Sequence, residues 1–242
     1  MIAWELFWKI FYKKDVESMI KRLIFDIDGT LITGVSFDKA IRGALERVGA
    51  LSDENVQKYI SAIGTYEIVN GNYQIEKYLK HFSDALGIEL DEEFLQGLFG
   101  NLARYAVPEN NQELFETIDS LSKKYELVLL SNYFEQSQRG RLESMGIDRY
   151  FSEFHGEKVS KPDRQVYLDA IGNHKPSECI MIGDSLDLDI IAAKKFGLNT
   201  IWINEKGVLQ NRVRTFSVRK VTDIDEKLIN RIEKALAELE ER

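Results

Sequence analysis

Two aspartates separated by one residue follow a short apolar run near the start of the sequence. The stretch reads RLIFDIDGTLITG over residues 22–34, and Asp26 and Asp28 stand where the apolar run ends. Residues two apart on an extended chain project to the same side, roughly 6.5–7 Å apart. That spacing leaves room for a phosphorus atom, with Asp26 on one side and Asp28 near its leaving oxygen.

Similar apolar runs recur along the chain and predict the strands of a sheet. They are short, rich in Ile, Val or Leu, and lack polar alternation, as is typical of parallel strands covered on both faces. The predicted strands are 22–27, 126–131, 179–184 and 199–204, with a shorter candidate at 150–154. Helical patterns lie at 112–124, 136–145, 164–172, 187–196 and 225–241. The alternation predicts an α/β fold, a Rossmann-like parallel sheet sandwiched by helices.

One interval breaks this alternation. Between Gly34 and Pro108 we find amphipathic helical patterns at 37–48, 52–63, 73–86 and 91–104, without a convincing buried strand. Four helices are too many for one crossover, so we predict an all-helical cap domain inserted after the first strand. The predicted division is a core domain of residues 19–34 and 107–242, a cap domain of residues 35–106, and an extension of residues 1–18.

Polar residues collect where the predicted strands end. They are Asp26 and Asp28, Ser131 and Asn132, Lys161 of the SKPD stretch, and Asp184 of the GDSLDLDI stretch. Ligands of open α/β sheets bind outside the carboxyl ends of the strands, so these side chains should converge on one crevice. Carboxylates within ~4–6 Å of one another repel, and a divalent cation removes that repulsion. Hard oxygen ligands, few in number, favour Mg²⁺.

The motifs DIDGT, SN, SKPD and GDSLDLDI, in that order, resemble those of the haloacid-dehalogenase-like (HAD) phosphohydrolase superfamily. The resemblance spans residues 22 to about 204, and the helical insert resembles that family's C1 cap. It implies a Mg²⁺-dependent phosphatase that hydrolyses a small phosphorylated metabolite through an aspartyl-phosphate intermediate.

The resemblance also implies roles for individual residues. Asp26 would be the nucleophile, and Asp28 would protonate the leaving alkoxide and then take a proton from water. Ser131 and the amide of Asn132 would hold phosphate oxygens, while Lys161 would offset charge on the phosphoryl group and on Asp26.

The metal ligands implied by the resemblance are Asp26, the backbone carbonyl of Asp28, and Asp184. Asp189 matches a supporting acid in the fourth motif. The segment from Gly29 to about Ser36 would couple cap motion to the site.

Three other functions remain open at this point. A metal-independent 2-haloacid dehalogenase would share the fold and the aspartate nucleophile, but its chemistry needs no acid at position 28. A phosphomutase of the same superfamily would send the phosphoryl group to a sugar hydroxyl, a choice that depends mostly on the cap. A non-catalytic binding protein would usually lack the nucleophile or a metal acid, and both are present. Residues 35–106 carry no signature that identifies the substrate.

Composition narrows the partners and the compartment. The chain of 242 residues has a net charge of −8, which argues against a nucleic-acid partner because such proteins need a basic face. Cys179 is the single cysteine, so no intrachain disulfide can form. A reducing compartment, most simply the cytoplasm, is expected.

The first residues read MIAWELFWKIFYKKDVESM and predict a short aromatic helix. We favour packing on its own domain or on a second subunit, which would give a homodimer. A helix on a membrane surface, helped by Lys9, Lys13 and Lys14, is the alternative, and translation from Met19 is a third. Glu5 and Lys9 interrupt the apolar run, so a membrane span is not expected.

Overall fold

The fold is built on one parallel sheet. The computed structural model describes residues 20–203 and the backbone of residues 216–218. The strands are β1 (Arg22–Phe25), β2 (Glu126–Leu130), β3 (Phe151–His155), β4 (Cys179–Gly183), β5 (Asn199–Ile203) and β6 (Phe216–Val218). Their order across the sheet is β3-β2-β1-β4-β5-β6, and all neighbours are parallel. The expectations for residues 1–18, Met19 and helix 225–241 fall outside the described residues.

The predicted α/β fold is confirmed. Five strands lie where the apolar runs placed them, with ends that shift by one or two residues. Strand β6 was not predicted, because the three residues FSV are too short to form a recognisable apolar run.

Both faces of the sheet are covered, which explains why the strands are apolar throughout. The helices of the core are α5 (Gln112–Ser122), α6 (Glu135–Ser144), α7 (Arg164–Ile171) and α8 (Ala192–Lys195). Leu23 and Phe25 of β1 belong to one buried cluster, which contains residues of α5 and α6. Ile24 between them belongs to a second buried cluster, which contains residues of α7 and α8. Successive side chains of a strand point to opposite faces, so each face has its own core.

Four helices form the cap inserted after β1. They are α1 (Asp38–Arg47), α2 (Asp53–Asn70), α3 (Ile75–Leu86) and α4 (Glu92–Tyr105). Their buried side chains make a separate hydrophobic cluster that also takes in Phe134 of the core. Helix α2 continues to Asn70 instead of ending at residue 63, and Gly71 ends it with a φ of 71°. Glycine adopts this left-handed conformation without steric cost.

The helix predicted at 187–196 has an unusual first part. Residues Leu186–Ile191 form a wide π-helical turn that leads into α8. The Ser185 hydroxyl accepts a hydrogen bond from the Leu188 amide at 3.3 Å, while the Asp189 carboxylate accepts one from the Ser185 amide at 2.9 Å. The widened turn therefore folds Asp189 back toward the end of β4. Such turns are frequent at functional sites.

Among the residues described, no helix combines the length and apolar character needed to cross a membrane.

Candidate active site

Asp26 lies at the carboxyl end of β1, in the centre of the sheet. Its backbone amide donates to the Ile182 carbonyl of β4 at 2.9 Å, which extends the pairing of the strands by one residue. The chain then turns tightly, because the Gly29 amide donates to the Ile32 carbonyl at 2.9 Å. Asp26 is only 7% exposed, so its carboxylate faces the interior of the crevice.

Lys161 joins two buried carboxylates. Its Nζ atom lies 2.8 Å from Oδ1 of Asp26 and 2.7 Å from Oδ1 of Asp189. The backbone of Lys161 is held in turn by Asn132, whose amide group donates to the Lys161 carbonyl at 3.0 Å and accepts from the Lys161 amide at 2.7 Å. The end of β1 and the π-helical turn thus meet at one ammonium group, while the end of β2 holds the backbone of the loop before α7 that carries it.

A third carboxylate, from Asp184, completes the cluster. One ligand oxygen from each of Asp26, Asp184 and Asp189 can be chosen so that all three lie within 4.8 Å of one another. Gly29 has a φ of 82°, and a Cβ at this position would overlap the Asp184 carboxylate. The glycine of the DIDGT motif therefore serves both the turn and the close approach of the acid.

The cluster carries more negative than positive charge. Burial and the neighbouring Asp189 raise the pKa of Asp26 above its usual value, against the opposing effect of Lys161. Asp184 is open to solvent on one side, but burial of the other side and the charge of Asp189 raise its pKa to about 6. Burial lowers the pKa of Lys161, but the carboxylates of Asp189 and Asp26 outweigh it and raise that pKa above its usual value.

The donor set fits a hard divalent cation. Three carboxylates and one ammonium leave two negative charges when all are ionised, and oxygen ligands of this kind suit Mg²⁺. Both oxygens of Asp189 already accept hydrogen bonds, from Lys161 and from the Ser185 amide. Asp26 and Asp184 are therefore the side chains best placed to hold the ion, while Asp189 orients Lys161.

Asp28 stands outside this cluster and is held by helix α6. Its Oδ1 accepts from Arg141 Nη1 at 2.7 Å, and its Oδ2 accepts from Gln138 Nε2 at 2.8 Å. Gln138 also donates to the Ser131 hydroxyl at 3.1 Å. Arg141 additionally donates to the Ala106 carbonyl, where the cap returns to the core.

Sequence reasoning missed Gln138 and Arg141. They lie three residues apart and so share one face of α6, but both are polar residues in a polar helix. Only the structure shows that they are 1% and 2% exposed. The available signal was their position shortly after the Ser131–Asn132 pair, on the helix that follows β2.

The other predicted site residues lie nearby. Ser131 is 3% exposed and follows β2, and its amide donates to the His155 carbonyl of β3 at 3.0 Å. The structure thus brings Asp26, Lys161 and Asp184 together, with Ser131 and Asn132 on the neighbouring strand end.

A cavity of about 250 Å³ lies between the cap and the core, beside Asp28 and Asn132. Its other walls are mostly aromatic rings of the cap, together with Tyr133 of the core. Sequence reasoning found no signature in the cap, because these rings come together only when the four helices pack.

Fold and site define an α/β enzyme whose acidic groups meet at the ends of parallel strands. A family model of haloacid dehalogenase-like hydrolases matches residues 20–197. The chain belongs to this family of hydrolases.

Two relatives match most of the chain. Pyrimidine 5'-nucleotidase PynA of Streptococcus pneumoniae is 28% identical over 208 residues, covering 76% of this chain and 84% of the relative. The N-acylneuraminate-9-phosphatase of Homo sapiens is 25% identical over 219 residues, covering 79% of this chain and 86% of the relative.

Solved structures share the fold. The HAD-hydrolase YfnB from Bacillus subtilis, bound to magnesium, has a TM-score of 0.63 at 22% identity, covering 87% of this chain and 99% of that one. A 2-haloacid dehalogenase from Pseudomonas syringae has a TM-score of 0.62 at 18% identity, covering 91% and 99%. Because phosphatases and dehalogenases share this fold, the chemistry must be argued from the site.

Proposed function

We propose that this chain is a Mg²⁺-dependent phosphatase that hydrolyses a small phosphomonoester through an aspartyl-phosphate on Asp26. The observation that carries the proposal is the position of Lys161, which bridges Asp26 and Asp189 beside Asp184. An anionic nucleophile must reach an anionic phosphate, and a site with fixed positive charge reduces that repulsion.

Asp26 attacks phosphorus, and the bond from phosphorus to the alcohol oxygen breaks. Its Oδ1 is held by Lys161, whereas the only partner of its Oδ2 among the described residues is the Thr30 hydroxyl at 3.5 Å, so Oδ2 is the freer oxygen. Lys161 and Ser131 stabilise the charge that develops on the phosphoryl oxygens.

Asp28 gives a proton to the departing alkoxide. The same carboxylate then takes a proton from the water that attacks the aspartyl-phosphate, which releases phosphate and restores Asp26. Gln138 and Arg141 hold Asp28 at the edge of the cavity, where a leaving group would lie. Asp26, Asp184 and the Asp28 carbonyl would hold Mg²⁺, which supplies positive charge next to the phosphoryl oxygens.

The test is phosphate release from a panel of phosphomonoesters that includes p-nitrophenyl phosphate. The panel is run with Mg²⁺, with EDTA, and with Asp26→Asn. A matched control is Asp187→Asn, which removes an exposed acid of the same π-helical turn that lies outside the cluster.

We expect turnover that needs the metal, is lost in Asp26→Asn, and persists in Asp187→Asn. Halide release from 2-haloacids in EDTA, with no phosphate release from any ester, would instead establish a dehalogenase. Glucose 6-phosphate formed from β-glucose 1-phosphate would establish a mutase.

A further inference from the structure

The cavity between cap and core is an apolar chamber with few charges. Of the part of the chain that the structure describes, fourteen residues line it: seven are Phe or Tyr, four are Ile or Leu, and only Asp28 and Arg141 are charged. Its volume of about 250 Å³ is just below the range of ligand pockets, roughly 300–1,000 Å³. A single compact, ring-bearing group suits this space better than a large polar one.

The single cation of this lining is already paired. Arg141 uses Nη1 for Asp28 and Gln138, and it uses Nε and Nη2 for the Ala106 carbonyl. Four of the five N–H groups of the guanidinium are therefore engaged. A substrate carboxylate in this cavity would be buried without a counter-charge unless it displaced Asp28, which is costly.

Three tyrosine hydroxyls form a row along the cavity. The Tyr59 and Tyr78 hydroxyls lie 2.6 Å apart, and the Tyr78 and Tyr133 hydroxyls lie 3.1 Å apart. Three O–H groups make two hydrogen bonds among themselves, so one proton remains to be donated elsewhere. Burial raises the pKa of all three phenols, so they are neutral donors at ordinary pH.

We propose that the cavity receives an uncharged alcohol with a flat, unsaturated ring, and that the substrate is of the nucleoside monophosphate class. The position of the substrate phosphate in this assignment rests on the function proposed above. Aromatic walls contact a flat ring through offset or edge-to-face arrangements, and the remaining tyrosine proton is donated to a carbonyl oxygen of the ring. The substrate phosphate then lies at Asp26, beyond Asp28 and Asn132.

A matched set of substrates tests the ring directly. Phosphate release by the full chain with Mg²⁺ is compared for uridine 5'-monophosphate, for ribose 5-phosphate, which lacks the base, and for 6-phosphogluconate, which carries a carboxylate. We expect kcat/KM for uridine 5'-monophosphate to exceed both others at least tenfold. Equal or faster turnover of ribose 5-phosphate or 6-phosphogluconate overturns the inference.

Two variants of helix α2 test whether the preference for the ring arises in the cavity. Ile63 lines the cavity and is 45% exposed, whereas Ile68 is 84% exposed and is not part of the lining. Ile63→Glu should raise KM for uridine 5'-monophosphate at least tenfold, and Ile68→Glu should leave it unchanged. Equal effects of the two substitutions overturn the assignment.

Calorimetric binding of uridine, which has no phosphate, separates the inference from the function it rests on. If uridine binds but no ester is hydrolysed, the phosphatase assignment fails and the cavity assignment stands. If p-nitrophenyl phosphate is hydrolysed but uridine does not bind and the base gives no advantage, the cavity assignment fails alone.

Discussion

Arg141 Nη1 lies 2.7 Å from Oδ1 of Asp28, and the side chain of Arg141 is only 2% exposed. The same guanidinium donates to the Ala106 carbonyl at 2.9 Å and 3.1 Å. One buried side chain therefore connects the proposed acid–base group to the point where the cap rejoins the core. The position of Asp28 is set by helix α6 as well as by its own turn.

Replacing Arg141 with lysine should weaken proton transfer more than phosphate attack. Lysine keeps the charge but cannot reach Asp28 and Ala106 together through a planar fork. We expect kcat/KM for alkyl phosphates, which covers the steps up to phosphoryl transfer, to fall about tenfold or more, since general acid catalysis contributes roughly 10²–10⁴-fold. For p-nitrophenyl phosphate, whose leaving group needs no proton, kcat/KM should change much less.

The matched control is Arg139→Lys on the same helix. Arg139 pairs with Glu135 and Asp148 and makes no contact with Asp28. Arg139→Lys should leave the turnover of both classes of substrate unchanged. An equal loss of kcat/KM on both substrates in Arg141→Lys would mean that Arg141 does not act through the proton given to the leaving group.

Gly29→Ala should remove metal binding, and Gly34→Ala should not. Both glycines have a positive φ, 82° and 67°, so both substitutions carry a similar backbone cost of about 1–2 kcal/mol. A Cβ at Gly29 would overlap the Asp184 carboxylate, whereas a Cβ at Gly34 would meet no atom of the described residues within 4 Å. Mg²⁺ titrations followed by thermal unfolding would separate the two effects, and loss of the Mg²⁺ response in both variants would contradict this explanation.

Asp189→Asn should destabilise the protein and lower its activity. The side chain is fully buried and accepts a charge-assisted hydrogen bond from Lys161 at 2.7 Å. Losing such a bond costs about 1.5–3 kcal/mol, and Asp26 still offsets the Lys161 charge. Urea unfolding measures the free energy, with the exposed-site variant Asp187→Asn as control. An unchanged midpoint in Asp189→Asn would show that Lys161 does not depend on this partner.

The stability of the metal-free protein should depend on pH in a defined direction. The pKa of Asp184 rises from 3.8 to about 6 on folding, and that of Asp26 also rises, so the folded state binds more protons. The contribution of Asp184 is fully present below pH ~4 and is lost as pH rises through about 6, and that of Asp26 is lost as pH rises through about 8. Because Mg²⁺ binds the ionised carboxylates, its stabilising effect should grow over the same range.

Thermal unfolding in EDTA and in Mg²⁺, at several pH values, measures this difference. Asp184→Asn should make the stabilisation by Mg²⁺ depend less on pH. A Mg²⁺ effect that is the same at pH 5 and at pH 8 would argue against a cluster of this charge.

The strand ends were predictable because two local signals agree there. Apolar runs located β1, β2, β4 and β5, and the acids that follow them mark the edge at which ligands bind. Parallel strand order accounts for the meeting of Asp26 and Asp184, whereas Lys161 lies in the loop beyond β3 and is held there by Asn132.

Other features depend on tertiary packing and leave little trace in the sequence. The π-helical turn that brings Asp189 to Lys161 reads as an ordinary helix, since its residues fit either form. Arg141 reads as a surface residue, because polar side chains are usually exposed. The hydroxyl row depends on Tyr59 and Tyr78 of different cap helices and on Tyr133 of the core, which are far apart along the chain.

The three tyrosines of that hydroxyl row come from two parts of the chain, the cap helices and the core. This has a consequence for how such enzymes diverge. Tyr59 and Tyr78 belong to the inserted helices, while Tyr133 directly follows the Ser131–Asn132 pair. The carboxylate cluster contains no cap residue. In terms of the functions proposed above, exchange of helices α1–α4 would change the walls of the cavity while leaving the carboxylate cluster intact, so selectivity and reactivity can evolve in separate segments of one gene.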